Sequence, residues 1–239
     1  MEDEKKRPLY FQVKEKILKE LEHSPYYSPL PGERELCETY NVSRPTVRKA
    51  LKELEDDNMI VTLRGKGSFY LGNRIYTDKS GHDGITFYKS VKSSGQYTKS
   101  KVLVQNVESA SKEISKKLQI EEESSVFHLE RLRYIGEELY SLTDSYISYD
   151  LCSELLQYEY SDRSLHATLE QYGIKIIRAK KVLEIKPASF YEAMHLQISE
   201  GNPISVMETI SYDEKDQVIE VAISKSLAYK TRYEMEVYN

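Results

Sequence analysis

An α+β fold in two domains is what this sequence predicts, and three observations carry the prediction. Three stretches of helical periodicity crowd into the first 57 residues, and two short strands joined by Arg64-Gly65-Lys66-Gly67 follow them. From residue 84 onward, runs rich in Val, Ile and Tyr are interrupted by short amphipathic helices, with no internal repeat. Neighbouring strands with helices inserted among them point to a largely antiparallel sheet.

The first helix is LYFQVKEKILKELEHS. Leu9, Val13, Ile17 and Leu21 recur at four-residue steps and make one apolar stripe. Pro8 suits its start, and Pro25, Pro29 and Pro31 stop it. A second helix, ERELCETY, begins after Gly32 with Leu36 and Tyr40 inward, and Asn41-Val42 breaks it. Ser43 then stands as the N-cap of RPTVRKALKELEDDN, with Pro45 in the first turn. Val47, Leu51 and Leu54 face inward, which leaves Arg44, Thr46, Arg48 and Lys52 outside. MIVTL and SFYLG read as strands around the basic Gly-x-Gly turn. Helix, helix, short turn, helix and basic hairpin make a winged helix-turn-helix over residues 1–72. Residues 73–83 are polar and aperiodic and read as a linker to a second domain over 84–239. There the strand runs are KVLVQNVES, SVFHLERLRYI, ELYSLTDSYIS, IKIIRAKKVLEIK, PISVMETISYD and QVIEVAISKSL. The helical runs are SASKEISKKLQI, SLHATLEQYG and PASFYEAMHLQI.

Composition narrows the function. The 239 residues carry a net charge of -5, but residues 1–72 hold 13 basic and 13 acidic side chains, so the deficit lies wholly beyond them. A neutral segment still presents a basic face when its charges are sorted by position. No apolar run approaches the ~18 residues of a membrane span. The charged start MEDEKKRPLY lacks the apolar stretch of a secretory signal, and cytoplasmic residence is the default expectation. Cys37 and Cys152 have no metal-ligand spacing and read as inert thiols. No metal or cofactor is expected.

The basic residues of the head are sorted in a way that suits DNA. Arg44 and Arg48 lie four apart at the N-terminal end of the third helix, the end that reaches base edges in a major groove. Arginine pairs bidentately with guanine, so both are candidates for base readout. Ser43 and Thr46 offer hydroxyls to phosphate or base, and Arg34 opens the preceding helix. Arg64 and Lys66 flank Gly65 in the wing, followed by Gly67, for a minor-groove contact. Glu53, Glu55, Asp56 and Asp57 crowd the far end of the third helix, away from a duplex.

LPGERELCETYNVSRPTVRKALKELEDDNMIVTLRGKGSFY, with PLYFQVKEKILKEL before it, resembles the N-terminal domain of the GntR family of bacterial transcription regulators. The resemblance spans nearly all of residues 8–71 and puts Arg34, Arg44, Arg48 and Gly65 or Gly67 on the family's DNA-contacting positions. Gly32 departs from the family's usual serine. GITFYKSVKSSGQ, LERLRYIGEELYSLTDSYI, DRSLHATLEQYGIKI and KTRYEMEVY resemble the UTRA effector-binding domain of the HutC branch, whose fold is like that of chorismate lyase. In members that respond to sugar phosphates, that resemblance implies an anion site at Thr86, Arg131, Arg133 and Ser164. Thr143 occupies a position where amino-sugar binders usually carry glutamate. Asp144 follows it on the opposite face, and Glu220 matches a second acidic position. The tail is about one residue shorter than the family's usual run, which affects the placing of Tyr229.

The residues support an anion site independently. Arg131 and Arg133 are two apart in a strand and share a face. Ser164 precedes a helix, where an anion is favoured, and paired guanidiniums clamp phosphate or carboxylate. An Arg/Glu ladder to Glu130, Glu137 or Glu138 is the alternative from the residues alone. The five histidines read as packed or surface groups, and no catalytic motif is present among the 239 residues. Tyr134, Tyr140, Tyr146, Tyr149 and Tyr229 offer stacking faces for a sugar ring or serve the core. The expectation is a transcription regulator, most simply a repressor. It would be a homodimer on double-stranded operator DNA, modulated by a small anionic effector such as a sugar phosphate, and not an enzyme. The rival expectations are a constitutive DNA binder whose second domain only dimerises, and an enzyme acting on a small carboxylate.

Overall fold

The computed structural model describes residues 7–72, 76–79 and 98–234, and the chain divides into two compact units, Met1–Tyr76 and Thr77–Asn239. In the first unit the three helices are α1 (Leu9–Leu21), α2 (Glu33–Tyr40) and α3 (Arg44–Asp56). Each contributes the inner face its periodicity predicts. Val13, Ile17 and Leu21 of α1 meet Leu36 of α2 and Val47, Ala50 and Leu54 of α3 in one core, closed by Ile60 and Tyr70. Two details differ from the expectation. Leu9 starts α1 and lies beyond the core, exposed. In α3 the innermost row is Val47-Ala50-Leu54, so Leu51 packs at its edge, only half-buried.

The turn between α2 and α3 is made by Asn41, whose left-handed backbone (φ 51°) lets its N–H reach back to the carbonyls of Cys37 and Glu38. Ser43 has the extended backbone of an N-cap, but its Oγ sits 2.9 Å from Thr46 Oγ1 and caps no backbone N–H. The wing is β1 (Ile60–Leu63) and β2 (Gly67–Tyr70), paired from Ile60↔Tyr70 to Leu63↔Gly67. That register leaves Arg64-Gly65-Lys66 as the turn, and Gly65 adopts φ 76°, a region glycine enters without strain. The proline-rich stretch after α1 does more than stop the helix. Leu30 N–H donates to Ser68 O at 2.8 Å and Tyr70 N–H to Ser28 O at 2.9 Å, so this stretch lines the outer side of β2. Tyr27 stacks on Phe69 with ring centres 4.5 Å apart.

Part of the expected linker has regular structure. Tyr76–Lys79 forms β3, which pairs with β10 (Thr231–Glu234) in a two-stranded sheet. Four residues of a polar run take on extended structure because a partner strand supplies their backbone hydrogen bonds. The rest of residues 73–83 lies outside the described residues.

The second unit is built on one antiparallel sheet of six strands. They are β4 (Thr98–Ser109), β5 (Ser125–Ile135), β6 (Glu138–Ser148), β7 (Arg178–Pro187), β8 (Pro203–Tyr212) and β9 (Val218–Leu227). Their order is β4-β5-β6-β9-β8-β7, two meanders joined where β6 pairs with β9. The helices are α4 (Lys112–Leu118), α5 (Leu165–Gln171) and α6 (Phe190–Leu196). The fold is thus α+β with an antiparallel sheet, as the sequence predicts. Strand β7 begins four residues later than IKII suggests, since Gly173 (φ 78°) ends α5 and Ile174 N–H bonds back to Leu169 O. Ile174 and Ile176 therefore pack with α5 instead of extending the strand.

The sheet has a core on each face. Phe127, Leu129 and Ile147 meet Leu165 and Leu169 of α5 and the ring of Tyr160 on one side. Val126 and Val221 meet Ile114 and Leu118 of α4 on the other. Strand β5 is consequently buried on both faces along almost its full length.

Leu54 is fully buried where α3 meets α1, so Leu54→Ala should destabilise the first unit by about 2–5 kcal/mol. Urea denaturation followed by circular dichroism measures this, with Leu156→Ala at an exposed position as the near-neutral control.

Candidate DNA interface and effector site

The residues expected to face DNA all lie on the surface of the first unit. Arg34, Ser43, Arg44, Arg48, Arg64, Gly65, Lys66 and Gly67 are exposed, and Thr46 is half-buried. Arg44 and Arg48 sit one helical turn apart at the start of α3, whose first turn carries no acidic residue. Two of the arginines are engaged within the head. Arg48 Nε donates to both oxygens of Glu33 at 3.1 and 3.0 Å, and Arg34 Nε donates to Glu38 at 3.0 Å. Ion pairs this exposed are worth ~0–1 kcal/mol, so they orient the guanidiniums and yield readily to a phosphate or base. Two of the acids at the other end of α3 bond back to the head while remaining exposed. Glu55 accepts from Thr62 N–H at 3.0 Å, and Asp57 pairs with Lys14 at 2.5 Å.

In the second unit, register decides what converges. Arg131 lies opposite Val102 and Thr143, and Arg133 lies opposite Ser100 and Ser141, so none of these cross-strand neighbours is acidic. Thr143 in turn faces Ser224 on β9, and a run of hydroxyls crosses the sheet there. Thr143 Oγ1 is 3.2 Å from both Ser141 Oγ and Ser224 Oγ, and Ser205 Oγ is 2.7 Å from Ser226 Oγ. Glu220, Arg131, Arg133 and Thr143 are all buried. The Arg131 guanidinium lies 5.8 Å from the centre of the Tyr160 ring. Ser164 caps α5 and accepts Ala167 N–H at 3.2 Å. Since α5 is only seven residues long, its dipole adds less than the sequence argument assumes. Tyr229 is half-buried in the short turn Ala228–Lys230, and Thr86 lies outside the described residues.

Asp144 does project from the opposite face of β6. It is 3.0 Å from His128 Nε2 and accepts from Lys225 Nζ at 3.0 Å. Burial would lower the His128 pKa, but the bond to Asp144 and the charges of Glu108 and Asp144 raise it above its ordinary value. Tyr146, one of the tyrosines considered for a sugar ring, stacks on His128 at 4.4 Å and thus belongs to that face. Glu130 is there too, accepting from Tyr191 Oη at 2.6 Å.

The description "Bacterial regulatory proteins, gntR family" matches residues 9–69, and the UTRA domain matches residues 93–230. The chain belongs to the GntR family and carries a UTRA domain. The HTH-type transcriptional regulator YurK of Bacillus subtilis is 31% identical over 216 residues, 89% of this chain and 88% of YurK. A probable fructoselysine utilization operon transcriptional repressor of Escherichia coli is 29% identical over 217 residues, 90% of this chain and 88% of its own. The crystal structure of PhnF from Mycobacterium smegmatis has the same fold, with a TM-score of 0.65 at 21% identity, covering 95% of this chain and 99% of PhnF. The chain is therefore a DNA-binding transcription regulator of the GntR/UTRA type and not an enzyme. No described helix of the regulator is long and apolar enough to cross a membrane.

One residue of the site escaped the sequence reading. His166, two residues after Ser164, brings its Nε2 to 2.6 Å from Glu220 Oε2. Burial alone would raise the pKa of Glu220. The charge and hydrogen bond of His166, with Ser145 and Arg131, outweigh burial and hold the carboxyl at about 2. The only hint in the sequence is a histidine on the helix that follows Ser164. Its partner lies 54 residues away and is brought to it by the fold.

The folded pKa of Glu220 lies below its ordinary 4.5. Its contribution to stability is complete above that value and is lost as pH falls toward 2. The stability gap between the wild-type chain and Glu220→Gln should shrink by on the order of 3 kcal/mol between about pH 5 and about pH 2. Urea titrations at each pH test this, and a gap independent of pH would mean that Glu220 is not held ionised.

Proposed function

We propose that this regulator is a cytoplasmic homodimeric repressor of a sugar-related operon, released from or tuned on its operator by a small anionic effector, most simply a sugar phosphate. Residues 1–72 are the DNA-binding head, 73–83 the connecting segment and 84–239 the effector-binding and dimerising unit. The observation that carries the effector reading is the pair of buried guanidiniums, Arg131 and Arg133, sharing one sheet face with a run of hydroxyls. Guanidiniums suit the phosphate and hydroxyls suit the polyol. Ser164, Glu220 and Tyr229 complete the candidate site, with Thr86 included from the family resemblance. The relative named for fructoselysine utilization supports a sugar-derived effector.

Dimerisation is supported by the unit's edge. Strand β7 ends the sheet, and Val182, Leu183 and Ile185 on it, with Phe190, Tyr191 and Met194 on α6, are large apolar side chains left exposed. A bare apolar edge is a pairing surface, and two half-sites on DNA call for two heads. Effector binding acts on DNA affinity only through a difference in affinity for two arrangements of the heads.

In the head, Arg44 and Arg48 read bases, Ser43 and Thr46 meet phosphate or base, and Arg34 faces the same duplex. Arg64, Gly65, Lys66 and Gly67 take the wing to the minor groove. Arg44→Ala should relax preference at one operator position by ~1–3 kcal/mol, measured by binding to a set of singly substituted operators. A uniform loss across all sequences would reassign Arg44 to the backbone.

The effector reading is tested by thermal shift against sugars, sugar phosphates and small carboxylates. A ligand at 100 times its Kd adds ~2.7 kcal/mol, which raises the Tm of a chain this size by several degrees at roughly 2–4 °C per kcal/mol. The expected result is a shift with one sugar phosphate and none with its unphosphorylated parent. No shift with any anion would leave a second domain that only dimerises.

A further inference from the structure

Glu220 is 3% exposed on the same sheet face as Arg131, Arg133 and Thr143. A carboxylate in that position would oppose an anion and attract an ammonium group. It is already engaged. His166 Nε2–H donates to Oε2 at 2.6 Å, and the imidazole is itself mostly buried, its side chain 18% exposed. The other ring nitrogen, Nδ1, is buried without a hydrogen-bond partner among the described residues. It is a polar atom with its bonding capacity left open on the helix that Ser164 caps.

We propose that His166 is a specificity-determining residue of the effector site. By occupying Glu220 it withholds that carboxylate from a ligand amine, so the regulator selects a phosphorylated polyol over the counterpart bearing an amine. The free Nδ1 supplies one hydrogen bond to a ligand hydroxyl. This inference rests on the effector reading above. It concerns a residue on α5 that is separate from the strand arginines and acts through Glu220.

Losing the imidazole would leave Glu220 buried and without its main partner, a state that a ligand ammonium group relieves. A hydrogen bond to a charged group changes affinity by on the order of tenfold or more. The experiment is calorimetric titration of the full chain with glucose 6-phosphate and with glucosamine 6-phosphate. Wild type, His166→Ala and His166→Gln are compared, the last keeping a side-chain donor for Glu220.

The expected result is that wild type binds glucose 6-phosphate the tighter of the two. His166→Ala should move the ratio toward glucosamine 6-phosphate by on the order of tenfold, and His166→Gln should restore most of the wild-type ratio. A purely structural role would lower both affinities together and leave the ratio unmoved, which overturns the proposal. Wild type preferring the amine overturns it as well, and that measurement needs no variant to fold. If wild type binds neither compound nor inorganic phosphate, the effector reading fails and the proposal falls with it. Anion binding with an unchanged ratio in His166→Ala defeats the proposal alone.

Discussion

A charge taken out of water has to be met by an opposite charge or by hydrogen bonds, because a buried ion left alone costs several kcal/mol. Strand β5 takes His128, Glu130, Arg131 and Arg133 into the interior on four positions of a single strand. Alternation sends His128 and Glu130 to one face and the two arginines to the other. The partners of these buried groups follow that division. On the first face α6 answers with Tyr191 for Glu130, while Asp144 and Lys225 complete the set around His128. On the second face α5 answers with His166 for Glu220. Both faces thus bury ionic groups, one around His128 and one around the guanidiniums.

The head solves a milder form of the same problem. Its net charge is zero, yet its acids and bases are sorted along α3, with arginines at the N-terminal end and carboxylates at the other. Glu55 and Asp57 are exposed but bond back to β1 and α1 at the far end of α3, so they do not oppose an anion at the helix start. Glu33 and Glu38 stay close to Arg48 and Arg34, but at exposed positions where water screens them. Cheap partners of this kind hold a guanidinium ready without committing it.

Much of this was legible in the chain. Three helices, the break at Asn41, the Gly65 wing and six strands of the main sheet follow from local periodicity and turn chemistry, which act over a few residues. Arg131 and Arg133 could be assigned to a common face because strand alternation is also local. The stretch Tyr27–Leu30 was not legible as a partner of β2, since its prolines read only as a helix stop, and its hydrogen bonds are to residues about 40 positions away. The pairing of β3 with β10 is longer-range still, joining Tyr76–Lys79 to Thr231–Glu234.

The sequence by itself determined the fold class, the basic start of the third helix, the GntR/UTRA resemblance and the facing of Asp144 away from Thr143. It did so because each rests on residue type, spacing or alternation within one element. Only the tertiary structure decided that Glu220 is bound by His166, that Arg48 leans on Glu33, and that β7 with α6 leaves an apolar edge exposed. Those outcomes depend on which distant residues a six-stranded register sets side by side, and no short-range pattern encodes a neighbour 54 residues away.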